Sequence, residues 1–441
     1  MSVPYEGQLV YTLADHFHMD SYRLLTGSLF MQMVGLLAGG LFIRSMKASR
    51  TVLLFAIPFC MLCTAVFLFP VYELWVVSLF ACSAASGACI ASCGYFLRGS
   101  TVAGQRFRVV ANIIVIISVM KLLINGLVLY VSANAGVILL TAVLGTAWYF
   151  SFHLHKFHEG EFPHPSYDRK RFAQALLLLC LFISISTIDF GIMILTIMPA
   201  YQHISWLSSW YWLLPYVGAA LAMKRIPALV ERNNMLFIAL GMIGLGFILF
   251  LVLGQSLIGY LVVFTLMMGA WAMFDVFWWS MLGEMLDMHK NAAIVLGLGF
   301  CANAMGVLHG KQIAHATQPG FEATMISLGV ICATVVLLPI LHKSIAKLLP
   351  ENRIALPESA PEEMQHLPAS DGAELLSERE RQIAALLLKG RTSKLIAAEL
   401  FLSENTVKTH VKNIYSKLNV RSRAELFNRF DPMYKKRGEY I

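Results

Sequence analysis

Eleven long apolar segments run along the chain, and they restrict its fold more than any other feature. A helix needs about 20 apolar residues to cross a bilayer, and each segment approaches or exceeds that length. The segments are 24–43, 51–69, 74–97, 109–130, 134–152, 172–196, 206–223, 234–253, 256–280, 291–308 and 321–341. Because backbone groups inside a bilayer must be paired within the protein, such segments fold as helices. The sequence therefore predicts an all-α polytopic membrane bundle of about eleven spans.

Composition agrees with a membrane protein. Hydrophobic residues make up 58% of the 441 residues and charged residues only 14%, which excludes an ordinary soluble domain. All eight cysteines lie in apolar segments, and segment 81–94 is rich in small residues, which predicts a close helix–helix contact. Cys60 and Cys63 form a C-x-x-C pair, but no second pair completes a zinc site. We predict no metal site, no cofactor and no cleavable signal peptide.

A polar, basic stretch at 377–427 contrasts with the rest of the chain. Ser377 and Glu380 have the spacing of a capping box that opens a helix, and Gly390 is placed to end it. A second short helix is predicted from Thr392, and Ser403 caps a third helix at about 404–418. Two short helices joined by a tight turn are typical of a helix-turn-helix.

The same stretch resembles the LuxR/NarL-type DNA-binding domain. The motifs that carry the resemblance are L-S-E-R-E at 376–380, G-R-T-S-K at 390–394, I-A at 396–397, S-E-N-T-V-K-T-H-V at 403–411, Y-S-K-L at 415–418 and R-S-R-A-E-L at 421–426. The resemblance covers about an eighth of the chain. It implies a C-terminal four-helix domain at 375–441 whose partner is double-stranded promoter DNA.

The third helix of this domain has two distinct faces. An apolar stripe follows helical spacing at Val407, Val411, Ile414 and Leu418, so the opposite face is exposed. The resemblance implies that Lys408, Thr409 and Lys412 on that face reach base edges in the major groove. Further DNA contacts, mainly to phosphates, are predicted at Asn405, Thr406, Thr392, Ser393, Lys394, Lys417 and Arg421. The alternative for each lysine is a solvated helix face.

Binding to two half-sites usually requires a dimer, so a homodimer on DNA is expected. The family resemblance places pairing on the fourth helix, here about 422–430, with Leu426, Phe427 and Phe430 available. The alternative is that these side chains only complete the small domain's own core.

The loops give the orientation. DNA is cytoplasmic, so the C-terminus is placed inside, and counting back assigns each loop to a side. Fourteen basic residues fall inside and only Arg23 and Lys311 outside, a strong positive-inside bias. The inside residues are Arg44, Lys47, Arg50, Arg98, Arg106, Arg108, Lys156, Arg169, Lys170, Arg171, Lys224, Arg225, Arg232 and Lys290. The sequence predicts a multi-pass protein of the cell membrane whose DNA-binding domain lies in the cytoplasm.

The layout of spans resembles the two halves of the major facilitator superfamily, with a basic central loop. Gly40 and Arg44, followed by Lys47, are loosely similar to that superfamily's loop between its second and third helices, but the loop's Asp is missing. Either a first span is missing or this is an eleven-span variant. The predicted divisions are an N-terminal segment at 1–23, a first half at 24–152, a cytoplasmic central loop at 153–171, a second half at 172–341, a juxtamembrane turn with an acidic Pro-rich linker at 342–374, and the LuxR-type domain at 375–441.

Ionisable side chains inside spans are costly and usually functional. Lys121, Asp189 and Asp275 stand out, and we interpret them as lining a pocket for an unknown small-molecule ligand. Further candidates for that pocket are Asn112, Asn125 and Trp271. The alternative is a structural ion pair between the halves. Trp206, Trp210 and Trp212 are interpreted as an interfacial belt, and the histidines of 153–164 as a solvated loop rather than a metal site.

Taken together, these features favour a membrane-bound one-component transcription regulator that senses a small molecule through its bundle. No nucleophile–base pair or phosphate loop occurs in a soluble context, so no enzyme activity is expected. Two alternatives stay open: a functional secondary transporter with an attached DNA-binding regulatory domain, and a bundle that serves only as an anchor.

Overall fold

The computed structural model describes residues 20–69, 71–101, 105–154, 169–224, 232–318, 320–346, 376–388, 396–397, 404–420 and 425–426. Within that part of the chain every regular element is helical, which confirms the all-α prediction. The chain forms two compact units, divided between residues 353 and 354.

Eleven helices of eight residues or more build the first unit within its described ranges. They are α1 (Ser21–Phe42), α2 (Met46–Ala65), α3 (Tyr72–Ser100), α4 (Arg106–Tyr130), α5 (Ala133–Phe152), α6 (Arg169–Ala200), α7 (Leu213–Met223), α8 (Arg232–Leu253), α9 (Leu257–Met285), α10 (Ala292–Ala316) and α11 (Phe321–Ala346). Single 3₁₀ turns follow α2, α6 and α9, and one α-helical turn, Ser205–Ser208, precedes α7.

Ten of these helices are long and apolar enough to cross a membrane, one fewer than predicted. The difference lies in segment 206–223, where the helix is interrupted. The amide of Trp210 bonds the carbonyl of Leu207, and that of Leu213 bonds Trp210, which is the tighter i to i−3 pattern of a turn. The remaining helix, α7, has 11 residues. At 1.5 Å per residue it covers about half of the hydrocarbon layer.

Small residues bring α1 and α3 into close contact, as the composition of 81–94 predicted. A Cβ atom on Gly35 would lie 1.9 Å from the carbonyl oxygen of Ala84, and one on Gly87 would lie 2.4 Å from that of Gln32. Any larger side chain at either position would push the helices apart. This backbone proximity is the packing that small residues permit between membrane helices.

The two halves meet along α10 and α4. Helix α10 packs on α6 of its own half and on α1 and α3 of the first half. Helix α4 of the first half packs on α7 and α9 of the second. These two seams place the side chains of α4, α7, α9 and α10 at the interface between the halves.

The second unit is a small domain with its own core. It contains α12 (Glu378–Leu388) and α13 (Glu404–Lys417), with further helical residues at 396–397 and 425–426. Val407, Ile414 and Leu418 are fully buried and Val411 packs beside them, so the predicted apolar stripe is confirmed. The other core residues are Leu376, Ile383, Ala384, Leu386, Leu387, Ile396, Ala397, Val420 and Leu426.

Candidate DNA-binding surface and membrane-domain sites

The start of α12 and the end of α13 are joined by one carboxylate. The amide of Ser377 donates to Oε2 of Glu380 at 2.8 Å, and the amide of Glu380 donates to Oγ of Ser377 at 3.3 Å, which is the predicted capping box. The ammonium of Lys417 also lies 2.7 Å from Oε2 of Glu380. The hydrogen bond from Lys417, followed by that from the Ser377 amide, lowers the pKa of Glu380. In this structure the ammonium of Lys417 joins the two helices, and its predicted contact with phosphate stays a prediction.

The exposed face of α13 lies opposite its apolar stripe. Asn405, Thr406, Lys408, Thr409 and Lys412 are all exposed, as expected for side chains that would enter a groove. The hydroxyl of Thr409 donates to the carbonyl of Asn405 at 2.9 Å, so its donor is used within the helix and its methyl group is left for apolar contact. The predicted contacts Thr392, Ser393, Lys394 and Arg421 lie outside the described residues.

Leu426 is fully buried in the core of the small domain. The expectation that this side chain is available for pairing with a second copy is therefore wrong, because it already packs against α12 and α13. Phe427 and Phe430 lie outside the described residues.

In the membrane domain, the carboxylate of Asp275 is held by two aromatic donors. The hydroxyl of Tyr216 on α7 donates to its Oδ2 at 2.5 Å, and the indole of Trp278 donates to its Oδ1 at 2.9 Å. Each oxygen thus has a partner within the second half. The carboxylate is fixed in orientation by neutral donors.

Lys121 reaches the same region from the first half. Its Nζ lies 4.9 Å from the ring centroid of Trp212, a cation–π geometry. Trp212 is one helical turn before Tyr216, which binds Asp275. Trp212 at the N-cap of α7 thus contacts the predicted lysine, and Tyr216 in the first turn of α7 binds the predicted aspartate. Trp212 packs against that lysine and Trp206 is exposed, and the interfacial belt stays a prediction.

Asp189 and Trp271 belong to a different, more deeply buried group. Asp189 is 1% exposed, and neither carboxylate oxygen has a partner at hydrogen-bond geometry among the described residues, although the Ser327 side chain lies close enough to interact with it. Trp271 is packed edge-on against Phe190, with ring centroids 5.0 Å apart, and its indole N–H has no acceptor among the described residues. Both residues are buried in the interior of the bundle.

The remaining predicted ligand residues diverge along α4. Asn125 is buried, whereas Asn112 is exposed near the other end of the helix, so one small site does not include both. Within the described ranges, no three His, Cys, Asp or Glu side chains gather as a metal site. Of the central-loop histidines only His153 is described, and its Nδ1 lies 3.1 Å from the carbonyl oxygen of Tyr149.

Sequence reasoning missed a polar network between the halves. We call its location the basic end, meaning the ends of α1, α3, α5 and α9 and the starts of α2, α4, α6 and α10. Arg106 is 1% exposed; its Nη2 donates to Asp287 at 2.8 Å and its Nη1 donates to the carbonyl of Gly283 at 2.7 Å. Its Nε donates to the hydroxyl of Thr101 at 3.2 Å. The sequence alone indicated only a loop charge at Arg106, but its side chain is buried and links the two halves of the bundle.

Asn291 extends the network. Its side-chain oxygen caps α10 through the amides of residues 293 and 294, and its side-chain nitrogen donates to the carbonyl of Gly40 at 2.9 Å. Arg98 donates to the carbonyl of His289, whose ring stacks on Phe172. A repeated spacing in the sequence signals the region: Gly40-x₃-Arg44-x₂-Lys47 in the first half matches Gly283-x₃-Asp287-x₂-Lys290 in the second.

Comparison with known proteins places the small domain in a family. Residues 374–430 match the family model of bacterial regulatory proteins, luxR family. The chain is 47% identical over 51 residues to the spore germination protein GerE of Bacillus subtilis, covering 12% of this chain and 69% of GerE. It is 53% identical over 62 residues to a putative HTH-type transcriptional regulator in the exeN 3′ region of Aeromonas salmonicida, covering 14% of this chain and 32% of that regulator. The chain belongs to the luxR family through this C-terminal domain.

The membrane domain is similar to a solved transporter. The human organic anion transporter MFSD10 (TETRAN) superposes with a TM-score of 0.57 at 15% sequence identity, covering 75% of this chain and 88% of the transporter. At that identity the likeness concerns the fold alone. The protein thus combines a luxR-family helix-turn-helix domain with a helical membrane domain whose fold is similar to that of this transporter.

Proposed function

We propose that this protein is a membrane-bound one-component transcription regulator that binds promoter DNA in response to a small molecule sensed by its membrane domain. The observation that carries the proposal is the presence in one chain of a luxR-family domain and a transporter-like bundle. The exposed polar face of α13 supports DNA binding, since its apolar stripe is already used in the domain's core.

The bundle is proposed to lie in the cell membrane with its basic end in the cytoplasm. The excess of Lys and Arg in the loops at that end supports this orientation. The same orientation puts the chain after α11 on the cytoplasmic side, where promoter DNA is found. Residues 342–374, of which 342–346 complete α11, are proposed as the connection that lets the small domain reach DNA.

The signal is proposed to be a small molecule bound near Lys121 and Asp275. The packing of α4 of the first half on α7 and α9 of the second supports this proposal, because Lys121 contacts Trp212 at the start of α7 and Asp275 of α9 binds Tyr216 of α7, and a ligand between them would contact both halves. A ligand shifts a conformational equilibrium only if it prefers one arrangement of the halves. Binding across a seam between halves is a way to obtain that preference. DNA binding as a homodimer is proposed because one such domain makes few base contacts.

The test uses the full-length chain in nanodiscs with the promoter region beside its own gene. DNase footprinting should reveal two protected half-sites separated by about one helical turn of DNA. Adding candidate small organic molecules should change the protein concentration that gives half protection. No protection at any protein concentration, with or without those molecules, would rule out the proposed function.

A functional secondary transporter with an attached regulatory domain is the second candidate, and the transporter-like fold favours it. The distinguishing measurement is uptake of radiolabelled ligand into proteoliposomes. Accumulation that is lost in Asp275→Asn would support transport. Equilibrium binding without accumulation would support a sensor.

A further inference from the structure

Three basic residues surround the start of α2, and none of them forms an ion pair with an acidic side chain among the described residues. Arg44 and Lys47 are exposed and Arg50 is half-buried. The sequence contains no Asp or Glu between Asp20 and Glu73, and the ion pairs found among the described residues include none of these three cations. Three positive charges are therefore concentrated within seven residues at the basic end.

Arg50 is fixed between two helices. Its Nη2 donates to the carbonyl of Phe152, the last residue of α5, at 2.7 Å. Nearby, the indole of Trp148 donates to the carbonyl of Leu54 at 3.1 Å, so two hydrogen bonds join the start of α2 to the end of α5. The Nε of Arg50 is buried and has no acceptor among the described residues, so the donors that remain for an external oxyanion are the other N–H groups of its half-buried guanidinium.

Large apolar side chains lie next to these cations. Trp148, Tyr149, Phe150 and Phe152 at the end of α5 are all exposed, and Phe55 on α2 is 75% exposed. Both Trp and Tyr favour the level of lipid headgroups, and exposed Phe favours acyl chains. Cations at headgroup depth, with exposed apolar rings beside them, match an amphiphile that has an anionic head and an apolar tail. A free anion would use only the cations.

We propose that the start of α2 and the end of α5 form a binding site for an anionic phospholipid, with Arg50 and Lys47 on its phosphodiester. Arg44 lies beside the headgroup, and the acyl chains cover Phe55 and the aromatic end of α5. Under the proposed orientation this lipid belongs to the cytoplasmic leaflet, where anionic lipids attract basic segments. The site depends on the membrane location of the bundle and not on DNA binding.

The test is a lipid titration of the delipidated full-length protein in detergent, followed by native mass spectrometry. Phosphatidylglycerol should bind at least tenfold more tightly than phosphatidylcholine. Double substitution Lys47→Gln and Arg50→Gln should reduce phosphatidylglycerol affinity at least fivefold. Arg108→Gln, which removes an exposed cation from the first turn of α4, is the matched control and should leave the affinity unchanged.

Three results would overturn the proposal. Equal binding of the two lipids would remove the charge requirement. Competition by glycerol phosphate at equal concentration would identify a site for a free anion instead of a lipid. An equal loss in the Arg108→Gln control would point to a general effect of charge.

A second double variant, Arg44→Gln with Lys47→Gln, tests the site without removing Arg50, which bridges two helices. Both substituted residues are exposed. This variant should reduce affinity at least threefold, and an unchanged affinity would contradict the assignment.

Discussion

Arg106 and Asp287 form an ion pair between the two halves of the bundle, with Nη2 and Oδ1 2.8 Å apart. The arginine lies at the start of α4 and the aspartate in the turn between α9 and α10. The carbonyls of Gly283 and Thr101 accept its other donors, so the buried guanidinium is well satisfied. Any motion that separates the halves at the basic end must break this pair.

Arg106→Gln should therefore destabilise the membrane domain. Removing one partner of a buried ion pair costs about 3 kcal/mol, because the other charge and the accepting carbonyls lose their partner. Thermal unfolding of the purified protein in detergent, followed by circular dichroism, would measure the change. Arg108→Gln, two residues along and exposed, should have little effect. Equal midpoints for the two variants would contradict the role given to Arg106.

The two intramembrane aspartates should respond differently to substitution by Ala. Asp275→Ala leaves the Tyr216 hydroxyl and the Trp278 indole without an acceptor, and each unsatisfied buried donor costs about 1–3 kcal/mol. Asp189→Ala removes a buried carboxyl group whose oxygens have no partner at hydrogen-bond geometry among the described residues, so it should be neutral or stabilising.

Unfolding midpoints of these two variants in the same detergent would test the contrast. A larger loss of stability in Asp189→Ala than in Asp275→Ala would show that the buried carboxylate has a stabilising partner in the working protein. The substitutions remove the same atoms, so their sizes do not confound the comparison.

Features that depend on residues close to one another in the sequence were predicted correctly. The capping box of Ser377 and Glu380 and the buried stripe of α13 depend on spacings of three and four residues, and both are confirmed. The close packing of 81–94 follows from side-chain size alone. The break near Trp210 was missed, because an apolar composition does not distinguish a continuous helix from one interrupted by a turn.

Contacts between distant residues could not be read from such patterns. Tyr216 and Asp275 are 59 positions apart, and Arg106 and Asp287 are 181 apart. Predicting the first pair requires knowing how α7 and α9 pack within the second half, and predicting the second requires knowing how the two halves are placed together. A charge in a loop looks the same in the sequence whether it is solvated, as at Arg108, or buried, as at Arg106. The local sequence signal of the basic end is a spacing that both halves share. It joins Gly40 to Lys47 in the first half and Gly283 to Lys290 in the second.

The small domain should lose stability in acid through Glu380. Its pKa is lowered in the folded state, so the pair with Lys417 contributes stability at neutral pH that is lost as the pH falls from its ordinary value of 4.5 through the folded value. Hydrogen exchange of the α12 and α13 amides in the full-length protein should show a protection loss over that range. Glu380→Gln should lower protection at pH 7 and flatten the dependence below pH 4.5. An unchanged acid profile in this variant would assign the transition to another group.

The lysines of α13 should separate into two classes. Lys408→Ala and Lys412→Ala remove side chains from the exposed face, and each should cost about 1–3 kcal/mol of binding to a double-stranded site selected by the wild-type protein from a random library. Lys417→Ala removes the partner of Glu380, so its main effect should be lower hydrogen-exchange protection of α12.

Fluorescence anisotropy at several salt concentrations would separate the two classes. Loss of a base contact should reduce discrimination against a scrambled site, whereas loss of a phosphate contact should weaken both sites equally and reduce the salt slope by about one. If Lys417→Ala reduced the salt slope while leaving α12 protected, its ammonium would bind phosphate in the complex and the bridge to Glu380 would open on DNA. If Lys408→Ala and Lys412→Ala left discrimination intact, the recognition face would lie elsewhere on the domain.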